Sequence, residues 1–467
     1  MSDFPMLIGG KLVKGDHKLK VINPATEEVF ASVERASQGQ AADAIAAAKA
    51  AFPAWAKTPI EKRQAIVVKI ADAVRDHADE LARILTAEQG KPLPEAQGEV
   101  AWTEGYLRYY ATLSLDVKVV QDDAAARVEV HRKPLGVVVG IVAWNFPLVL
   151  AAWKIGPALV AGNTIVVKPA PTTPAATLRL GALIKDIAPP GVVNIIADDN
   201  DLGSYLTSHP DVAKVSFTGS VDTGRKIMKS GADTLKRLTL ELGGNDVAIV
   251  LDDVKVKDVA PKIFDAAMLN CGQVCMAAKR IYVQDAIYDE MASAMAAIAK
   301  DAVVDDGAKQ GTRVGPIQNR AQFEKVKGLI DSAKKEGATV VGGETLHRAG
   351  YFVKPAIVTN VKEGNRIVDE EQFGPVIPLI RFKNDDEVVA RANATQYGLG
   401  GSVWSSDFNR AKRIADQIDA GTVWINQHIT IGPHIPMAGA KQSGVGVEQG
   451  LEGLAEFTQV RVLNMAK

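Results

Sequence analysis

Two textures of apolar and polar positions follow one another along the chain. From about Gln38 to Leu113, apolar residues such as Ala41, Ile45, Ala48 and Phe52 recur at three- and four-residue steps among Ala, Glu, Lys and Arg, which predicts a run of surface helices. From Leu135 the texture changes to short β-branched runs separated by helical stretches. Val137 to Val142, Thr164 to Val167, Val192 to Ile196, Val212 to Phe217 and Arg237 to Leu240 read as strands. Strands alternating with helices at this spacing call for right-handed crossovers and a mostly parallel sheet, an architecture suited to nucleotides.

A second alternating region repeats the pattern with Val247 to Val250, Arg280 to Val283, Ala338 to Val341, Ile357 to Val358, Val376 to Ile380, Gly401 to Trp404 and Thr422 to Ile425. Leu113 to Lys133 and the tail from Phe457 to Asn464 are short, β-prone and peripheral to both blocks, so a small shared sheet or a subunit contact is expected of them. The most apolar window, Leu148 to Val167, is interrupted by Lys154, Gly156, Pro157, Gly162 and Asn163, and reads as buried helix, turn and strand rather than a membrane span.

Composition narrows the picture. A chain of 467 residues exceeds what one core supports and suggests about three domains. Lys plus Arg number 54 against 55 for Asp plus Glu, without the basic excess of a nucleic-acid binder. The cysteines, Cys271 and Cys275, are too few for a disulfide framework and lack zinc-site spacing, so no metal is expected. The opening Met-Ser-Asp-Phe-Pro-Met-Leu-Ile-Gly-Gly shows no basic leader followed by a cleavage site, and a cytoplasmic location is the default expectation.

The chemistry-bearing residues each admit a plain and a functional reading. No Gly-x-Gly-x-x-Gly occurs, so the common dinucleotide fingerprint is missing. Thr218-Gly219-Ser220-Val221-Asp222-Thr223-Gly224 follows a strand and enters a helix, either an ordinary turn or a phosphate grip built on free amides and a positive helix end. Cys275 is either a packed small hydrophobe or a nucleophile that needs a base, since an unperturbed thiol near neutral pH is only a few per cent thiolate. Glu241, ending an apolar strand before Gly243 and Gly244, is either a surface ion-pair partner or a buried base with a raised pKa. Asn145, between Trp144 and Phe146, is either a turn former or a polarising amide.

Taken together these segments resemble the aldehyde dehydrogenase superfamily of hydrolytic, NAD(P)-dependent enzymes. Seven motifs in the family's order carry the resemblance: Trp144-Asn145-Phe146-Pro147, Lys168-Pro169-Ala170, Phe217-Thr218-Gly219-Ser220, Glu241-Leu242-Gly243-Gly244, Gly272-Gln273-Val274-Cys275, Glu370-Glu371-Gln372-Phe373-Gly374-Pro375 and Lys441-Gln442-Ser443-Gly444. It runs from Asn23-Pro24-Ala25-Thr26 to the last strand.

The resemblance implies that Cys275 attacks the aldehyde carbon, that Asn145 and the Cys275 amide steady the oxyanion, and that Glu241 activates water against the thioester. It implies Lys154 and Glu448 as proton-relay or supporting residues. Val142, Trp144, Lys168, Gly219, Ser220, Glu241, Leu242, Glu371 and Phe373 are the implied coenzyme residues, Lys168 at the adenosine ribose and Glu371 with Phe373 at the nicotinamide ribose. Three residues after Lys168, where many NAD-preferring members carry Glu, this chain has Pro171, so the coenzyme expectation is NAD(P), leaning to NAD.

Trp153 stands where semialdehyde-type members carry Arg, and with Phe146, Leu150, Val274 and Met276 it points to an apolar or aromatic aldehyde; His428 and His434 are candidate polar contacts at the mouth. The alternatives are a semialdehyde or betaine-aldehyde dehydrogenase, a silent protein on the same fold, and a non-redox cysteine hydrolase. The expected fold is α/β, with a Rossmann-like coenzyme domain (1–114 and 134–242), an α/β catalytic domain (243–442) and a small β oligomerisation element (115–133 and 443–467). The resemblance implies a homodimer or homotetramer, with no nucleic-acid or membrane partner.

Overall fold

The computed structural model describes residues 4–467. The first three residues, where the stretch read for a leader and the first expected coenzyme segment begin, lie outside the described residues. Two large sheets carry the fold. The first has eight strands in the order Lys11–Val13, Met6–Ile8, Val193–Ile195, Thr164–Lys168, Val137–Ile141, Val212–Thr218, Arg237–Glu241 and Gly444–Val445. Its five central strands are parallel, with antiparallel strands at both edges. Val137–Ile141 and Thr164–Lys168 are buried throughout, as continuous β-branched runs must be when helices cover both faces of a parallel sheet.

The second sheet has seven strands in the order Thr339–Val341, Ala356–Thr359, Val376–Phe382, Arg280–Gln284, Val247–Val250, Gly400–Trp404 and Thr422–Ile425. A third, three-stranded sheet joins Thr458–Ala466 to Ala126–Pro134 and Lys118–Asp122, the two peripheral segments expected to share one. Every strand read from the β-branched runs is present, within about two residues at each end.

The predicted helical run resolves into Gln38–Trp55, Ile60–Asp76, Ala78–Gln89 and Leu93–Tyr110. Ser37 and Gln40 start the first of these with a reciprocal capping box. The apolar window is the buried helix Pro147–Ala161, stopped by Gly162 in the left-handed region, and then the strand Thr164–Lys168. Among the described residues no helix is long and apolar enough to cross a membrane.

Two features are not visible in the periodicity. His17–Ile22 and Val29–Arg35 pair as a hairpin whose exposed positions carry Lys18, Lys20 and Glu28 nearby, diluting any apolar signal. The segment 443–467, expected as part of a peripheral element, is divided: Gly444–Val445 closes the edge of the first sheet against Arg237–Glu241, and only Thr458–Ala466 joins the small sheet. Edge closure is the reason, since the last strand of an open sheet presents unpaired amides that a passing segment can satisfy.

Candidate active site

Parallel register brings the carboxyl ends of the central strands to one level, Ile141 beside Lys168 and Phe217, and Thr218 beside Glu241. Open parallel sheets bind ligands at that end. A cavity of about 810 Å³ opens there. It is lined by every residue the resemblance implies for the coenzyme, Val142, Trp144, Lys168, Gly219, Ser220, Glu241, Leu242, Glu371 and Phe373, and also by Asn145 and Cys275.

The phosphate-grip candidate is built as a strand, a turn and a helix. Ser220 caps the helix Val221–Gly231 by accepting from the Thr223 amide, and the Gly219 amide donates to the Glu241 carbonyl at 3.0 Å, tying the turn to the neighbouring strand. Lys168 is buried and donates to Asp198 at 2.6 Å. On the opposite wall Glu371 accepts from the Gly244 amide at 3.1 Å, and Phe373 meets Trp144 edge-on with ring centroids 5.2 Å apart. A Cβ added to Gly243 would come within 2.6 Å of the Glu371 carboxyl, so a side chain there would displace it.

Cys275 follows an unusual turn. Asn270, Cys271 and Gly272 lie in succession in the left-handed region, and a Cβ on Gly272 would stand 2.2 Å from the Gly374 carbonyl, so glycine is required there. Gln273 locks the turn, donating to the Asn270 carbonyl at 2.9 Å and accepting from the Gln318 amide at 2.9 Å. Cys271 is buried in the core, the plain reading of a cysteine, whereas Cys275 is partly exposed at the cavity wall.

Asn145 is buried. Its Nδ2 donates to the Gln273 carbonyl at 3.1 Å, on the turn that precedes Cys275. Its own carbonyl accepts from Lys91 Nζ at 2.9 Å and from Asn270 Nδ2 at 2.8 Å. Lys91 is in turn paired with Glu99 at 2.6 Å, and the second Glu99 oxygen accepts from the Leu148 and Val149 amides at the start of the helix Pro147–Ala161. Lys91 and Glu99 carry no recognisable motif, so only the fold shows that they fix Asn145.

Glu241 is buried, and its Oε1 has no hydrogen-bond partner. Burial first, and the Glu448 charge second, push its carboxyl up to about 8, while a hydrogen bond with the Cys275 thiol pulls it down. Burial and the Glu241 charge also push the Cys275 thiol well up. Thiol and carboxyl therefore face one another, each holding its proton more tightly than in water, so that a proton can be exchanged between them.

Lys154 and Glu448 sit behind the wall rather than in the cavity. Lys154 Nζ donates to Glu448 at 2.9 Å and to Thr218 Oγ1 at 2.9 Å, and Ser216 donates to the same Glu448 oxygen at 3.3 Å. Of the predicted substrate residues none lines this cavity. Phe146 carries the Lys91 ammonium over its ring at 3.8 Å, Trp153 is buried against Tyr106 at 5.3 Å, and Leu150, Val274 and Met276 are buried in the surrounding packing.

His428 differs from the expectation of a polar contact at the mouth. His428 spends both ring nitrogens internally, on the Ser402 hydroxyl at 2.8 Å and the Met276 carbonyl at 3.0 Å, and burial pushes its pKa down to about 3. His434 is exposed and meets Tyr109 edge-on. Among the described residues no cluster of three or more His, Cys, Asp or Glu could hold a metal.

A thiol, an amide donor and a buried carboxyl with one oxygen unpartnered, at the end of a nucleotide-sized cleft, form a site capable of covalent acyl chemistry. The family model described as the aldehyde dehydrogenase family matches residues 12–463, and the chain belongs to that family. It is 39% identical over 480 residues to phenylacetaldehyde dehydrogenase of Pseudomonas fluorescens, covering 99% of this chain and 95% of that protein. It is 37% identical over 465 residues to betaine aldehyde dehydrogenase of Vibrio vulnificus (strain YJ016), covering 97% and 96%. Among solved structures, betaine aldehyde dehydrogenase from Staphylococcus aureus in complex with NAD+ superposes with a TM-score of 0.96 at 34% identity, covering 99% of this chain and 94% of that one.

Proposed function

We propose that this protein oxidises an apolar or aromatic aldehyde to the carboxylic acid, with NAD as the preferred coenzyme and Cys275 as the covalent nucleophile. The observation that carries the reading is the single cavity holding Cys275, Glu241 and Asn145 together with the Gly219–Ser220 turn, Lys168 and Glu371. Its volume lies within the ~300–1,000 Å³ of cofactor sites. The capped helix start suits a pyrophosphate, and the Glu371 carboxylate suits ribose hydroxyls.

The Cys275 sulfur forms a bond to the aldehyde carbon and its proton passes to Glu241. The Asn145 amide and the Cys275 backbone N–H donate to the oxyanion of the thiohemiacetal, each such donor supplying about 3 kcal/mol of barrier lowering. NAD, when bound, supplies the hydride acceptor that leaves a thioester on Cys275. Glu241, once it has released the thiol's proton to solvent, takes a proton from water, whose oxygen attacks the thioester carbon; the C–S bond breaks, the proton on Glu241 passes to the sulfur, and the acid departs with the thiol restored. The Lys154–Glu448 pair behind Glu241 adjusts its charge, Glu448 raising and Lys154 lowering its pKa.

The NAD preference is supported by Lys168, whose charge is already met by Asp198 and is not free for a 2′-phosphate. A strong NADP preference, with cavity-lining Lys226 supplying the charge, overturns that lean. The apolar substrate is supported by Trp153 in place of an arginine and by the likeness to phenylacetaldehyde dehydrogenase. The likeness to betaine aldehyde dehydrogenase favours a second reading, a quaternary ammonium aldehyde held by aromatic rings, but one face of Phe146 is occupied by Lys91.

The coenzyme domain comprises 1–114 and 134–242, the catalytic domain 243–442, and the small sheet mediates a homodimer or homotetramer. Val117, Val119, Val120, Val460, Val462 and Met465 on or beside that sheet are exposed, which supports association there. A free catalytic thiol supports a reducing, cytoplasmic location.

The test is a panel of aromatic, aliphatic, ω-carboxy and trimethylammonio aldehydes with NAD and with NADP, followed at 340 nm, with Cys275→Ala as the blank. Fastest turnover of an aromatic aldehyde with NAD and none in the blank is the expected outcome. Activity retained by Cys275→Ala refutes the covalent reading, and a best rate for an ω-carboxy aldehyde refutes the substrate class.

A further inference from the structure

A lysine outside every motif above sits between the nucleophile and the coenzyme wall. Lys279 is buried, and its ammonium donates to the Cys275 carbonyl at 2.5 Å, the Gly244 carbonyl at 3.0 Å and the Glu371 carboxyl at 2.9 Å. An ammonium has three N–H donors, and here all three are spent on three separate segments: the nucleophile turn, the strand exit after Glu241, and the loop bearing Glu371 and Phe373. Its own amide and that of Arg280 both donate to the Asp246 carbonyl at 3.0 Å, fixing the base from which the side chain reaches.

We propose that Lys279 is a positioning residue that couples the Cys275 nucleophile to the Glu371 carboxylate, so that coenzyme held by Glu371 and reactivity of the thiol depend on one shared cation. The inference rests on the proposed function for the roles of Cys275 and Glu371. None of the seven motifs includes this lysine. Its hydrogen bonds go to two backbone carbonyls and one acid, with the Phe373 ring centroid 5.6 Å from the ammonium, and a neutral side chain of the same length removes a donor from each of the three acceptors.

The charges facing the thiol come from three places. Glu241 at its strand end and Asp246 beyond Gly244 raise it, and Lys279 on the thiol's own turn is the cation that lowers it. Behind Glu241 stand Glu448 and Lys154. Removing Lys279 therefore leaves the thiol among acids. Glu371 in turn loses its cation, keeps only the Gly244 amide, and becomes free to leave the cavity wall.

The experiment compares Lys279→Met, Glu371→Gln and the double variant with the parent protein. The first readout, taken without coenzyme, is the rate of iodoacetamide alkylation of Cys275 against pH, with peptide mapping by mass spectrometry to separate it from buried Cys271. The second is NAD binding by quenching of tryptophan fluorescence.

Lys279→Met is expected to move the alkylation midpoint up by about one pH unit, making alkylation about tenfold slower at neutral pH. Glu371→Gln, which keeps the cation beside the turn, is expected not to raise the midpoint. The two substitutions are expected to weaken NAD non-additively, the double variant binding about as well as the weaker single one. Lys279→Arg keeps the charge without the compact three-donor head, and is expected to keep the midpoint within about half a unit while still weakening NAD.

An unmoved midpoint in Lys279→Met, or strictly additive losses of NAD binding, overturns the inference. If Lys279→Met does not fold, the arginine variant decides, because parent-like NAD binding there overturns it equally. Cys275→Ala separates this result from the parent reading: an inactive Cys275→Ala with an unmoved Lys279→Met midpoint removes Lys279's role alone.

Discussion

Replacing Lys91 by methionine tests whether a buried ion pair holds Asn145 in place. Both Lys91 and Glu99 have fully buried side chains, and their 2.6 Å contact is the only salt bridge that either makes among the described residues. Breaking one side of such a pair typically costs about 3–5 kcal/mol, because the surviving charge is left uncompensated away from water. Glu99 keeps the Leu148 and Val149 amides as donors at 2.9 and 3.2 Å, which places the expected loss near the lower end, about 3 kcal/mol.

The double variant Lys91→Met/Glu99→Gln removes both charges, and the glutamine oxygen can still accept from those two amides. At least half of the loss should return. Activity separates from stability in this pair. Asn145 keeps the Asn270 donor on its carbonyl but loses the Lys91 donor in both variants, so kcat should stay low in the double variant even as stability recovers. Urea unfolding followed by tryptophan fluorescence measures the first effect and reduced-coenzyme absorbance the second. A loss below about 1 kcal/mol in Lys91→Met, or a double variant no more stable than the single, refutes the reasoning.

Three further outcomes are expected. Glu241→Gln should form the thioester and then stall, giving a burst of reduced coenzyme stoichiometric with active sites followed by a slow rate; a parent-like steady rate would remove Glu241 as the base. Asn145→Ala should lower kcat by about 10²–10³, the usual loss of one oxyanion donor, and a drop smaller than threefold would argue against that role. The third outcome concerns pH. Burial raises Glu88 and Glu241 to about 8, and Glu95 and Asp246 to about 7, all above their ordinary values of 4.5 for Glu and 3.8 for Asp. Between those limits the folded chain holds protons that the unfolded chain has released, so the stability linked to them is full at acidic pH and is lost as pH rises through 7–8. Urea midpoints should fall from pH 6 to pH 8.5, less steeply in Glu95→Gln, and an identical slope in that variant would contradict the assignment.

How much of this was legible beforehand differs from element to element. The buried strands were, because a run such as Val137 to Ile141 has one stable place, inside a sheet covered on both faces. The hairpin of His17–Ile22 and Val29–Arg35 was not, because charged residues share its exposed positions and leave no clear period. Cys275, Glu241 and Asn145 stood out through their motifs, and all three line one cavity. His428 stood out equally, yet its ring is consumed by Ser402 and Met276. A lone histidine has no sequence signal that distinguishes an internal pair of hydrogen bonds from a substrate contact.

The chain alone determined the α/β alternation, the helix stops and the order of the chemical motifs, since these depend on apolar spacing and on residue types within a few positions of each other. Tertiary structure decided which charges are compensated and by whom. Lys91 meets a carbonyl 54 positions away, Lys279 a carboxylate 92 away, and Asn145 a turn 128 away. The strength of such contacts depends on burial and on distances of about 3 Å, quantities that exist only once distant segments have packed and excluded water.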